Sequence, residues 1–138
     1  MSRENQALVR RFFEEIWNDR RAETADELIA ADAVCYADDG PMIGPEEFKQ
    51  RQFVPFTAAF PDLKLTVDEI IGEGDVVAVR WSAAATHCGD GLGCAPTQEP
   101  IAITGMSWVR CKDGKMVEGW QSSNLPGVLQ GLMMKANG

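Results

Sequence analysis

The sequence predicts an α+β fold in which helices come first and a curved, largely antiparallel sheet wraps them. Two observations carry this. Apolar residues recur at helical spacing as far as Phe60, and from Leu63 onward their period drops to two. A third is the lack of alternating strand and helix patterns, which disfavours a parallel βαβ sheet. The 138 residues, 45% hydrophobic and 25% charged, suit one domain spanning 1–138, large enough to bury roughly two thirds of its unfolded surface.

The elements follow in order. Leu8, Val9, Phe12, Phe13, Ile16 and Trp17, with Arg10, Arg11, Glu14 and Glu15 between them, predict an amphipathic helix over 4–18. A shorter helix over 22–30 leads to a brief strand at Val34, Cys35 and Tyr36, and Asp38-Asp39-Gly40-Pro41 forces a turn. Gly44-Pro45-Glu46-Glu47 reads as a helix start, because proline suits the first helical position and carboxylates favour the positive end of the dipole. Pro55 should kink that helix, and Phe60-Pro61-Asp62 should end it. Leu63, Leu65 and Val67 begin the alternating region, followed by strands over 76–86, 101–111 and 116–123 joined by tight glycine-bearing turns. Leu125, Val128, Leu129, Leu132 and Met133 have the spacing of a short closing helix, weakened by Pro126, Gly127 and Gly131.

Composition excludes several function classes. A net charge of −8 repels phosphate backbones and anionic lipid, so neither nucleic acid nor a membrane surface is an expected partner. No apolar run approaches the roughly 20 residues of a membrane span, and Met-Ser-Arg-Glu-Asn reads as the opening of a charged helix rather than a signal peptide. The expected location is the cytoplasm. Cys35, Cys88, Cys94 and Cys111 lack CxxC spacing, and the one histidine adjoins only Cys88, so no metal is assigned. Gly89, Gly91 and Gly93 lie between strands without a following helix, which disfavours a phosphate loop, and there is no GxSxG elbow.

The candidate chemistry centres on His87, at the end of the 76–86 strand before a loop with Gly89, Gly91, Gly93 and Pro96. As the lone imidazole it is the default general base or proton shuttle. The competing reading is a strand-end histidine that only hydrogen-bonds its loop. On the last strand Glu118, Trp120 and Ser122 share a face, with Asn124 in phase, which suits a pocket wall. Asn124 would orient a carbonyl or a water, or else cap the C-terminal segment. Trp17, Tyr36, Phe53, Phe56, Met106, Trp108 and Trp120 are the candidate lining of an apolar cavity, with ordinary core as the alternative. Arg80 and Asp68 read as a solvated strand pair.

Several segments together resemble a known family. They are 9–18 (VRRFFEEIWN), 44–49 (GPEEFK), 60–63 (FPDL), 74–81 (GDVVAVRW), Thr86-His87-Cys88-Gly89, Pro96-Thr97 and 113–120 (DGKMVEGW). In order and spacing they are similar to the SnoaL-like polyketide cyclases of the NTF2-like superfamily. The resemblance implies a cone-shaped α+β barrel, commonly a homodimer, and a cofactor-independent enzyme that closes a ring by intramolecular aldol condensation of an apolar, carbonyl-bearing small molecule. It also implies an aspartate past the tryptophan as acid/base, assisted by the strand-end histidine. His87 matches that histidine, but Asn124 stands at the aspartate position, and an amide cannot abstract a proton. Two functions stay open: a cyclase-type enzyme using His87 and Asn124, and a non-catalytic small-molecule-binding protein.

Overall fold

The computed structural model describes residues 2–137. Helix α1 (Ser2–Arg11) runs on into a π-helical stretch, Phe12–Asn18, and α2 (Glu23–Leu28) follows. Strands β1 (Ile29–Ala37) and β2 (Gly40–Ile43) come next, then α3 (Gly44–Phe48), a second π-helical stretch at Lys49–Phe53, and α4 (Val54–Ala59). Strands β3 (Lys64–Glu73), β4 (Val76–Thr86), β5 (Pro100–Lys112) and β6 (Lys115–Ser123) complete the sheet, and α5 (Leu125–Asn137) ends the chain.

The strand order is β2-β1-β6-β5-β4-β3. All neighbours are antiparallel except β1 and β6, which run parallel. That parallel pair was not expected from the hairpin spacing, because the connection between its strands is most of the chain rather than a local turn. The brief strand expected at 34–36 is nine residues long, and what read as a turn through Pro41 continues as β2, with only Asp38 and Asp39 turning the chain. Register shifts in β3, near Arg110 and within β1 bend the sheet into a cone.

Alternation decides which side chains enter the cone. Val77, Val79, Trp81, Ala83 and Ala85 of β4, and Ile103, Ser107, Val109 and Cys111 of β5, are buried, while their neighbours face outward. Val9, Phe13, Ile16 and Trp17 fill the interior from the N-terminal helix. Asn18 fastens that helix to β3, since its Nδ2 donates to Leu65 O at 2.8 Å and its Oδ1 accepts from Leu65 N–H at 2.7 Å. Pro55 does not break its helix but follows a π-helical turn directly. Lacking an N–H, it relaxes the hydrogen-bond ladder just where Gln52 turns into the cone.

Candidate functional site

Register places Gln121 of β6 opposite Ser107 of β5, which in turn opposes Val79 of β4. Ser107 and Val79 are buried, so Gln121 shares their inward face. Gln52 approaches from the helical side and is only 8% exposed. A cleft of about 670 Å³ opens beside α5, walled by Phe56, Leu125, Leu129 and Met133 and bordered by Gln52 and Gln121. The same two glutamines border two internal cavities of about 60 Å³ each, one beside Met42 and Val109, the other beside Phe60 and Trp81. The two amides therefore stand where the outer cleft meets the interior.

Neither glutamine amide hydrogen-bonds another described residue, and neither is sealed, because His87 Nε2 is the one sealed side-chain polar atom without a partner among the described residues. Buried amides ordinarily find partners, and a pair left open to a cavity is a ready donor and acceptor set for a guest. At the rim, Asp39 pairs with Arg51 at 3.2 Å. Asp38 instead accepts two hydrogen bonds from Ser123, from the hydroxyl at 2.6 Å and the backbone N–H at 3.2 Å. Burial pushes the Cys35 and Cys111 thiols up to about 11, so both stay protonated and non-nucleophilic at neutral pH. Among the described residues no cluster of His, Cys, Asp and Glu could hold a metal ion, and no helix is long and apolar enough to cross a membrane.

His87 is placed elsewhere. It is fully buried beside Phe60, with ring centroids 5.7 Å apart, and it borders none of the three spaces just described. Thr97 N–H donates to its Nδ1 at 3.3 Å and the Thr97 hydroxyl lies 3.0 Å from the same atom. With Nδ1 engaged by Thr97 and Nε2 sealed from every cavity just described, neither ring nitrogen is open to a ligand. Gly89, pressed against Ala58, and its N–H to Ala59 O at 3.1 Å hold the covering loop onto α4.

Asn124 is occupied as well. Its backbone N–H donates to Thr104 O at 3.2 Å, its Oδ1 accepts from Thr104 N–H at 3.0 Å, and its Nδ2 donates to Ala102 O at 3.5 Å. The side chain thus stands in for a backbone carbonyl, freeing Asn124 O to accept from Val128 N–H and start α5. His87 and Asn124 are not brought together, and neither reaches the cleft.

The expected lining divides between two faces. Trp17, Phe53 and Phe56 lie on the helical side of the interior, with Trp17 and Phe53 centroids 5.9 Å apart. Tyr36, Met106, Trp108 and Trp120 are exposed on the outer face of the sheet, so they are wall residues of a different surface. The expected row Glu118, Trp120 and Ser122 also faces outward, where Trp120 and Ser122 join Tyr36, Met106 and Trp108 around an open depression of about 540 Å³, whereas the inward row of β6 is Gly119, Gln121 and Ser123. Both rows mix polar and apolar residues, so β6 alone does not reveal its buried side. The signal lay in β5, where Ile103, Val109 and Cys111 mark the inner face and pairing carries it to Gln121.

The sequence profile of the SnoaL-like polyketide cyclases matches residues 7–132. The sequence matches no functionally curated protein. Among solved structures, AclR of Streptomyces galilaeus, a proposed hydroxylase, is 29% identical over 96% of this chain and 87% of its own, with a TM-score of 0.82. IdmH of Streptomyces antibioticus, a proposed polyketide cyclase, is 28% identical over 97% of this chain and 99% of its own, with a TM-score of 0.76. A proposed SnoaL-like polyketide cyclase from Jannaschia sp. CCS1, 22% identical over 95% of this chain and 92% of its own, has the same fold at a TM-score of 0.84.

Proposed function

Because the chain belongs to the SnoaL-like polyketide cyclase family, we propose that it takes an apolar, carbonyl-bearing small molecule into the cleft beside α5, with Gln52 and Gln121 on the carbonyl. The observation that carries this reading is the open amide pair, unpartnered among the described residues and set against the apolar wall of the cleft. Walls of Phe56, Leu125, Leu129 and Met133 supply affinity, and the amides supply orientation. Ring closure by aldol condensation is the reaction the family description favours. AclR, whose structure is similar, bears the name of another reaction, so the cone itself does not select the chemistry. His87 and Asn124 are left out of the proposed site, since the first is sealed and the second spans a strand edge.

A calorimetric titration with 2-tetralone, a bicyclic ketone, tests the proposal. Saturable binding is expected, weakened about tenfold by Gln121→Ala, the equivalent of one hydrogen bond. His87→Ala should leave the affinity unchanged while lowering stability by about 2 kcal/mol through the cavity it opens. Binding that depends on His87 and ignores Gln121 would overturn the assignment.

The outer face of the sheet supports a homodimer. Tyr36, Trp120, Trp108, Ala78 and Ile71 are paired in a single row across five strands, and Tyr36 stacks on Trp120 at 5.6 Å. Trp108 is 49% and Ile71 65% exposed. Ion pairs flank the row, Arg80 with Glu69 on one side and Arg110 with Asp75 and Glu118 on the other. An apolar centre with a rim of both charge signs suits a two-fold, self-complementary contact. Trp108→Glu is expected to yield a monomer by sedimentation velocity without loss of fold. The four unpaired cysteines fit the reducing cytoplasm that the sequence led us to expect.

A further inference from the structure

We propose that Asp38, oriented by Ser123, is the proton-transferring base of the cleft, acting on a carbon next to the ligand carbonyl held by Gln52 and Gln121. The inference rests on the ligand reading above and names the residue of this chain that moves the proton there, in place of the position occupied by Asn124.

Three observations converge. Asp38 borders the cleft and, unlike Asp39, has no cationic partner among the described residues. Its orientation is set by a directed chain: Leu125 N–H donates to Ser123 Oγ at 3.1 Å, so the hydroxyl hydrogen points to Asp38 Oδ2 at 2.6 Å. Ser123 and Gln121 lie two residues apart on the same inward face, a separation of ~7 Å along the strand. That spacing lets a carbonyl oxygen sit on the amides while an adjacent C–H meets the carboxylate. Gln52, more than nine-tenths buried and unpartnered among the described residues, borders the same cleft and supplies the second donor.

The step balances without a cofactor. A carboxylate oxygen of Asp38 takes the proton from the carbon next to the carbonyl. The C–H electron pair becomes the carbon–carbon double bond, and the carbonyl π pair moves onto oxygen. The enolate oxygen is then held by the N–H groups of Gln52 and Gln121, which gain strength as charge develops there. Reversal returns a proton from the Asp38 carboxylic acid to carbon. In an aldol ring closure, the same enolate carbon would instead attack a second carbonyl of the ligand.

Deuterium uptake at C1 of 2-tetralone in heavy water, followed by proton NMR at saturating probe, tests this. The wild-type protein is expected to accelerate exchange, and Asp38→Asn to lower the rate by about 100-fold or more, with calorimetric affinity kept within about threefold. Asp39→Asn should change the exchange rate by less than twofold. Ser123→Ala, whose residue-123 N–H still donates, should slow exchange severalfold and serves if Asp38→Asn fails to fold. Saturable binding with exchange unaltered in either Asp38→Asn or Ser123→Ala overturns the inference and leaves the ligand site standing. Absence of binding in the wild-type protein overturns both.

Discussion

Gln52→Leu is expected to make the protein more stable and its ligand affinity poorer. The wild-type amide is nearly buried yet bonds no other described residue, and a polar group in that condition costs about 1–3 kcal/mol. Leucine has similar bulk and meets Phe56, Phe60 and Leu125, which border the same internal space. The gain should raise the thermal midpoint by about 3 °C or more. The same change removes a donor and an acceptor from the cleft, so 2-tetralone affinity should fall about tenfold. Opposite signs in one variant are the mark of a residue kept for binding at the expense of stability. Calorimetric melting and titration of one preparation read both, and a variant that loses stability would count against the open-amide account.

Gly105→Val should have the largest effect on folding. Gly105 opposes Trp81 across β4 and β5, and a Cβ there would fall 2.7 Å from Trp81 Cε2 and 2.9 Å from Cη2. The indole has little freedom to retreat. Its Nε1–H donates to Ser107 Oγ at 3.1 Å in a buried bond, and its ring packs 6.3 Å from Phe13. Overpacking of this kind costs about 1–3 kcal/mol for alanine, and valine, with two further carbons, should exceed that range and be visible as a large drop in the urea midpoint. Trp81→Phe in the Gly105→Ala background should recover part of the loss, because the smaller ring withdraws from the added methyl. Simple additivity of the two changes would show that the ring is not the obstacle.

Much of the fold could be read because each element obeys one clear period. The helix over 4–18 and the strands over 76–86 and 101–111 stand within a residue or two of their expected bounds. Strand β2 was hidden because Gly40 and Pro41 are ordinary turn residues, and only the pairing of Met42 with Cys35 shows them continuing as a strand. The site was less legible. Its two glutamines carry no motif, Gln52 enters the cone through a π-helical turn, and Gln121 sits beside a conspicuous tryptophan that faces the other way. Asp38 looked like a turn residue because it is one, and its tie to Ser123 spans 85 positions that no local pattern connects. His87 drew attention by being unique in the chain, but uniqueness says nothing about access, and Thr97 and Phe60 enclose it.

The proposed ligand site and the chemistry at Asp38 both depend on the two amides meeting a ligand. Side-chain 15N–1H correlation spectra recorded while 2-tetralone is added follow those groups individually, once Gln52→Leu and Gln121→Ala have assigned their signals. The Gln52 and Gln121 amide pairs are expected to shift together and to saturate with the calorimetric constant, while the indole signals of Trp108 and Trp120 stay in place. Shifts confined to those outer-face indoles, with the glutamine amides unmoved, would contradict the proposed site.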